Sequence, residues 1–226
     1  MTVRPMPGTV VFDLDGTLAD TSADLIAAAN ACFRAMGHGD LLDPAADALT
    51  ALRGGRAMLR LGFGRLGRED EAQVDAQYPV LLSAYAEALD THTRLYPGAV
   101  AAVEALRDAG YATAICTNKP EGLAETLTRR LGIRDLFGSL IGADTLATRK
   151  PDVAPYHASV LRAGGDPARS LLVGDTETDR CTAAAAGVPC VLVSFGPEGA
   201  DIARLAPEAM LDDYADLPAL VARLLG

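Results

Sequence analysis

The sequence is poor in lysine, in histidine and in long apolar runs, and each shortage narrows what the chain can be. None of its 226 residues lies in a run approaching the roughly 18 apolar residues of a membrane span. The opening "MTVRPMPGTV" lacks the features of a secretory leader. A cytoplasmic protein is therefore expected. The four cysteines (Cys32, Cys116, Cys181, Cys190) show neither CxxC spacing nor disulfide density, which fits a reducing compartment and small buried hydrophobes. Cations are scarce: 20 Lys+Arg against 30 Asp+Glu give a net charge of -10, which argues against nucleic acid and against an anionic membrane surface. Of the basic residues only Lys119 and Lys150 are lysines, so these two mark places where a compact ammonium is wanted. Strand signals are missing from about residue 20 to residue 92.

What is present sorts into two grammars. Residues 9–13 read as a short buried strand. A helix is expected from Thr21 to Met36, capped by Thr21 or Ser22 and ended at Gly37. Residues 44–66 continue in helical style, interrupted by "RGGR", and a longer helix runs from about Glu69 to Leu89 with Pro79 as its break or restart. From "YPGAV" onward the pattern changes. Pro97 starts a helix with Val100, Val103 and Leu106 on one stripe, and Gly110 stops it. Strands at "YATAICT", "FGSLIGA", "SLLVGD" and "PCVLVS" then alternate with helices near 121–131, 153–163 and 177–186. Alternation of this kind implies right-handed crossovers and a parallel sheet covered on both faces. The expected architecture is an α/β, Rossmann-like parallel-sheet core (1–18 and 94–226) with an inserted all-helical cap domain (19–93).

Ligands of parallel sheets bind beyond the carboxyl ends of the strands. Here those ends carry Asp13 and Asp15; Thr117, Asn118 and Lys119; Lys150; and Asp175 with Asp179 a turn later. Four carboxylates crowded at one edge repel each other unless a cation lies among them. Oxygen-only donors suit Mg²⁺, and the absence of histidine from these ends argues against zinc. A hard cation with hydroxyl, amide and ammonium donors matches a phosphoryl group, and a carboxylate there can serve as a nucleophile that forms an aspartyl-phosphate. Taken singly, "DG" is a turn signal and "TN" before a helix is an N-cap; only their joint placement on successive strand ends points to function.

In order along the chain, "DLDGTLAD", "CTNKP", "RKPD" and "VGDTETD" resemble the four motifs of the haloacid-dehalogenase-like superfamily, over nearly the whole chain. Within it, "DLDGTLADT", "YPG" and "TNKP" look most like phosphoglycolate phosphatases. The resemblance implies a Mg²⁺-dependent phosphatase in which Asp13 attacks phosphorus and Asp15 exchanges protons with the leaving group and then with water. Gly16, Thr117, Asn118 and Lys150 would hold the phosphoryl group, and Asp13, the Asp15 backbone, Asp175 and Asp179 the metal. Asp15 speaks against a dehalogenase, and a cap without lysine excludes a phosphonate-cleaving relative. The first cap helix has no histidine, which disfavours a phosphomutase. Response-regulator receivers place their acceptor on a middle strand, and a catalytically dead phosphate-sensing module would be expected to have lost at least one of Asp13, Asp15, Lys150 and Asp175, all of which are present.

Specificity is read from less. The cap should close over the site, and in "LRGGRAML" Gly54 permits close backbone approach while Arg53 and Arg56 offer forked donors to a carboxylate. Lys119, at a helix start where the dipole disfavours a cation, implies a nearby anion. A small anionic phosphate ester is expected as substrate, 2-phosphoglycolate first, with pyrophosphate or a sugar or nucleotide phosphate as alternatives.

Overall fold

The computed structural model describes residues 8–68 and 70–226. The leader reading on residues 1–7 and the helix start at Glu69 thus lie outside the described residues. The run Thr9–Phe12 forms β1, buried on both faces. A strand so placed pairs on both edges. It pairs with β4 (Ala112–Cys116) on one side and β6 (Ser170–Gly174) on the other, both parallel. Outward from these follow β5 (Ser139–Ile141) on one flank and β7 (Cys190–Val193) and β8 (Ala209–Leu211) on the other. The sheet order is β5-β4-β1-β6-β7-β8. Phe12 is level with Ile115 of β4 and Val173 of β6. The register therefore delivers Asp13, Cys116 and Gly174 to one height at the carboxyl edge. Because the chain winds to one side of β1 and then to the other, β1 lies at the switch point of an α/β fold.

Helices α5 (Ala99–Asp108), α6 (Glu121–Arg130), α7 (Val153–Arg162), α8 (Glu177–Ala186) and α9 (Leu217–Leu225) cover the sheet. Beneath α7 and α8, Val11, Ala114, Leu172 and Leu192 pack with Tyr156, Val160 and Ala183. Helix α5 starts at Ala99 rather than Pro97, because Gly98 takes a left-handed conformation (φ 78°) and adds a turn after the proline. Its buried stripe is Ala99, Ala102, Val103 and Leu106, with Val100 only half-buried.

The chain divides into two units: residues up to Ala19 with Leu95–Gly226, and Asp20–Arg94. The crossings, β2 (Ala19–Asp20) and β3 (Arg94–Leu95), pair as a two-stranded ribbon. The second unit holds α1 (Ser22–Ala35), α2 (Ala48–Leu52), α3 (Gly55–Arg65) and α4 (Glu71–Glu87). Thr21 is the N-cap residue of α1 but gives it no side-chain cap; the Asp20 carboxylate accepts from the Ser22 amide at 3.1 Å and its hydroxyl at 2.7 Å. Pro79 does not interrupt α4, contrary to the sequence expectation. Burial of Val74, Leu81 and Tyr85 on either side of it outweighs the lost hydrogen bond. Among the described residues no helix is long and apolar enough to cross a membrane.

Candidate active site

The site begins where β1 stops. Beyond Phe12 the amide of Asp13 still bonds the Val173 carbonyl at 2.9 Å, and the chain then closes a tight loop. The Leu14 carbonyl accepts from the amides of Leu18 and Ala19, and Gly16 donates to the Ala19 carbonyl. Gly16 sits at φ 83°, a conformation an L side chain disfavours, so this turn depends on glycine. Asp13 is 8 % exposed, and its Oδ1 accepts from the Leu14 amide at 2.7 Å.

Lys150, buried, places its Nζ 3.0 Å from Asp13 Oδ2 and 2.6 Å from Asp179 Oδ1. The other oxygen of Asp179 accepts from the Asp175 and Thr176 amides at 3.3 and 3.1 Å and from the Thr176 hydroxyl at 2.6 Å. Asp179 is thus the N3 carboxylate of a capping box at the start of α8. It comes so near the backbone that a Cβ on Gly174 would lie 2.4 Å from its Cγ, which is why β6 ends in glycine. Asp175 takes the Thr17 hydroxyl on Oδ1 at 2.7 Å.

At the end of β4 the Thr117 hydroxyl accepts the Lys119 amide at 3.1 Å, and exposed Asn118 donates from Nδ2 to the Lys150 carbonyl at 3.0 Å. Lys119 is almost fully buried, with Nζ 2.8 Å from Asp15 Oδ1. The anion that its position called for is therefore met at least in part by a carboxylate of the protein itself. Arg53, Gly54 and Arg56 lie in the helical unit, between and within α2 and α3. There the Arg56 guanidinium pairs with Asp75 and stacks 4.6 Å above the Tyr78 ring, while Arg53 is exposed. Two residues that the motif reading passed over complete the edge. Thr17 holds Asp175, and Tyr214 donates from its hydroxyl to the Thr17 carbonyl at 2.7 Å. The threonine was visible within "DGT"; nothing local marks the tyrosine.

The charges do not balance. Among the described residues the acids Asp13, Asp15, Asp175 and Asp179 outnumber the cations Lys119 and Lys150 at this largely buried edge. Burial is the main force that pushes the Asp13 carboxyl up to about 6; Lys150 opposes it, and the neighbouring carboxylates add to it. Asp175 is pushed well above the usual carboxylate range by burial first and then by Asp179 and Asp13. Oxygens of Asp13, Asp175 and Asp179 lie within 4.8 Å of one another. Carboxylates so close and so dry either keep protons or share a cation. The clustered all-oxygen donors fit Mg²⁺. Cys116 nearby does not compete as a soft ligand, since burial pushes its thiol up to about 12.

A family model described as haloacid dehalogenase-like hydrolase matches residues 10–193. The chain is 38 % identical over 229 residues to a phosphoglycolate phosphatase of Agrobacterium fabrum, covering 100 % of this chain and 97 % of that one. It is 39 % identical over 219 residues to a phosphoglycolate phosphatase of Rhodospirillum rubrum, covering 94 % and 90 %. Among solved structures, a predicted phosphoglycolate phosphatase from Haemophilus somnus superposes with a TM-score of 0.81 at 27 % identity, covering 94 % of this chain and 97 % of that chain.

Proposed function

The chain belongs to the haloacid dehalogenase-like hydrolase family and is a phosphatase; from that premise we propose that it hydrolyses 2-phosphoglycolate, with Mg²⁺, through an aspartyl-phosphate on Asp13. The observation that carries the reading is the placement of Lys150 between Asp13 and Asp179, at 3.0 and 2.6 Å, beside Asp175.

The Leu14 amide and the Lys150 ammonium fix the Asp13 carboxylate, so that one of its oxygens is held for in-line attack on phosphorus. The Asp13–phosphorus bond forms as the ester P–O bond breaks, and Asp15 gives its proton to the departing alkoxide. Asp15 then takes a proton from the water that attacks the aspartyl-phosphate, releasing inorganic phosphate and restoring Asp13. Thr117, Asn118 and Lys150 would bind the phosphoryl oxygens. Asp13, Asp175 and the Asp15 carbonyl would hold Mg²⁺, whose contribution is to neutralise charge on the phosphoryl group. Asp179, whose two oxygens accept from Lys150, the Asp175 and Thr176 amides and the Thr176 hydroxyl, would support the site through Lys150 and the Asp175 amide.

The choice of phosphoglycolate rests on the named relatives and on Lys119. Its ammonium lies beside Asp15, the residue that faces the leaving group, so a leaving group bearing a carboxylate brings its charge toward that cation. The test is phosphate release from 2-phosphoglycolate, pyrophosphate, sugar phosphates and nucleotides, with and without Mg²⁺, by wild type and Asp13→Asn. A hundredfold preference in kcat/KM, about 2.7 kcal/mol of transition-state discrimination, supports phosphoglycolate. A flat profile abolished by Asp13→Asn would leave the phosphatase and discard this substrate. Activity surviving that substitution would sink the mechanism.

A further inference from the structure

The segment after β7 takes no part in the four motifs, yet it reaches the site. Phe195 and the buried Tyr214, which opens a single 3-10 turn at Tyr214–Asp216, pack with ring centroids 5.3 Å apart; Phe195 in turn lies 4.8 Å from the Tyr96 ring. On the other side Gly98 backs the tyrosine, with room of only 3.1 Å between a Cβ there and the Tyr214 Cβ. Held in this way, the ring has little freedom, and its hydroxyl is directed to one acceptor, the Thr17 carbonyl at 2.7 Å. Burial and the nearby Asp175 charge push the phenol up, so it stays a donor. Thr17 is fully buried and spends its own hydroxyl on Asp175 Oδ1 at 2.7 Å.

We infer that Tyr214 is a positioning residue of the metal site: by fixing the Thr17 carbonyl it fixes the backbone of the Asp15–Thr17 loop, and through the Thr17 hydroxyl it sets the carboxylate of Asp175. The inference rests on the proposed role of Asp175 as a metal ligand. A carboxylate with one oxygen tied to a rigid donor presents the other in a single direction. An ion that requires near-octahedral geometry gains from that restriction. The Thr17 carbonyl could not anchor the loop equally well from water, because the residue is sealed from solvent.

The test is calorimetric titration of the metal-stripped full-length protein with MgCl₂, together with melting in EDTA. Three variants are compared with wild type. Tyr214→Phe removes only the hydroxyl and keeps the stacked ring. Tyr156→Phe is the matched control, because Tyr156 is equally buried, shares a 2.7 Å hydrogen bond with Ser170, and belongs to the buried face of α7 in the core. Thr17→Val breaks the second link. Both tyrosine variants are expected to melt a few degrees lower. Only Tyr214→Phe is expected to weaken Mg²⁺ binding, by about tenfold or more. Thr17→Val should weaken it as well, and combining it with Tyr214→Phe should add little, because the two act in series. Wild-type Mg²⁺ affinity in Tyr214→Phe, or in Thr17→Val should the first variant not fold, overturns the inference and leaves the proposed function standing. Failure of the wild type itself to bind Mg²⁺ overturns both.

Discussion

Lys150 and Lys119 each hold an acid of this site, and they should fail differently when replaced. Lys150→Met leaves Asp13 and Asp179 buried together without their counter-ion. Removing one partner from such a cluster costs about 3–5 kcal/mol, and activity toward every ester should vanish along with much of the stability; melting and phosphate release read both. Lys119→Met removes the ammonium that lies 2.8 Å from Asp15 Oδ1 and should discriminate between substrates. It is expected to lower kcat/KM for 2-phosphoglycolate about a hundredfold while lowering that for a phosphate ester without a carboxylate, such as p-nitrophenyl phosphate, by much less. Equal losses on both would show that Lys119 serves Asp15 alone. At this scale most of the edge could be read in advance, because Asp13, Asp15, Thr117, Lys150 and Asp175 follow strands whose burial is written in their composition. Arg56 could not be read this way. Its partner Asp75 is nineteen positions further along, on another helix, and helical spacing alone does not bring the two together.

Helix α4 carries a proline at its centre and remains one helix. An interior proline costs a helix about 3 kcal/mol, offset in part by the freedom it removes from the unfolded chain. Pro79→Ala should therefore raise the melting temperature by several degrees without changing substrate preference; an unchanged or lower melting temperature would mean that the helix is shaped around the ring. The proline misled because a local signal was weighed without the burial of Val74, Leu81 and Tyr85. Strand β8 and helix α9 went unread for other reasons. Three residues, Ala209–Leu211, are too few for periodicity to show, and β8 exists because β7 offers it an edge. Helix α9 did carry a signal, since Pro218 lies in its first turn and Leu217 and Val221 are one turn apart on its buried face. Along the remaining core, elements alternate as their periods require.

For the whole molecule, the raised carboxyl of Asp13 links stability to pH. In the metal-stripped protein its folded pKa, about 6, lies above that of the unfolded chain, so the folded state binds the proton more tightly. The stability it contributes is complete below about pH 4 and is lost as pH rises through about 6. Melting in EDTA should consequently drop between about pH 4 and pH 6, and Asp13→Asn should flatten that slope. Asp47 works in the opposite sense: its hydrogen bonds with Arg65 hold its carboxyl low, so its contribution is lost only as pH falls below the usual carboxylate range. The two windows do not overlap.

The tie between Tyr214 and Thr17 spans 197 positions. The ribosome delivers Asp13 before β4 and β6, but the strand that carries it lies inside the sheet and must wait for both. The loop beyond it waits longer still, until residue 214 has emerged and folded back. A nascent chain could display Asp13 through most of its synthesis while Thr17 and Asp175 still lacked the tie that sets them. The proposed metal site would then mature late, and a chain cut short before β8 would carry Asp13 and Asp175 without the contact that orients them.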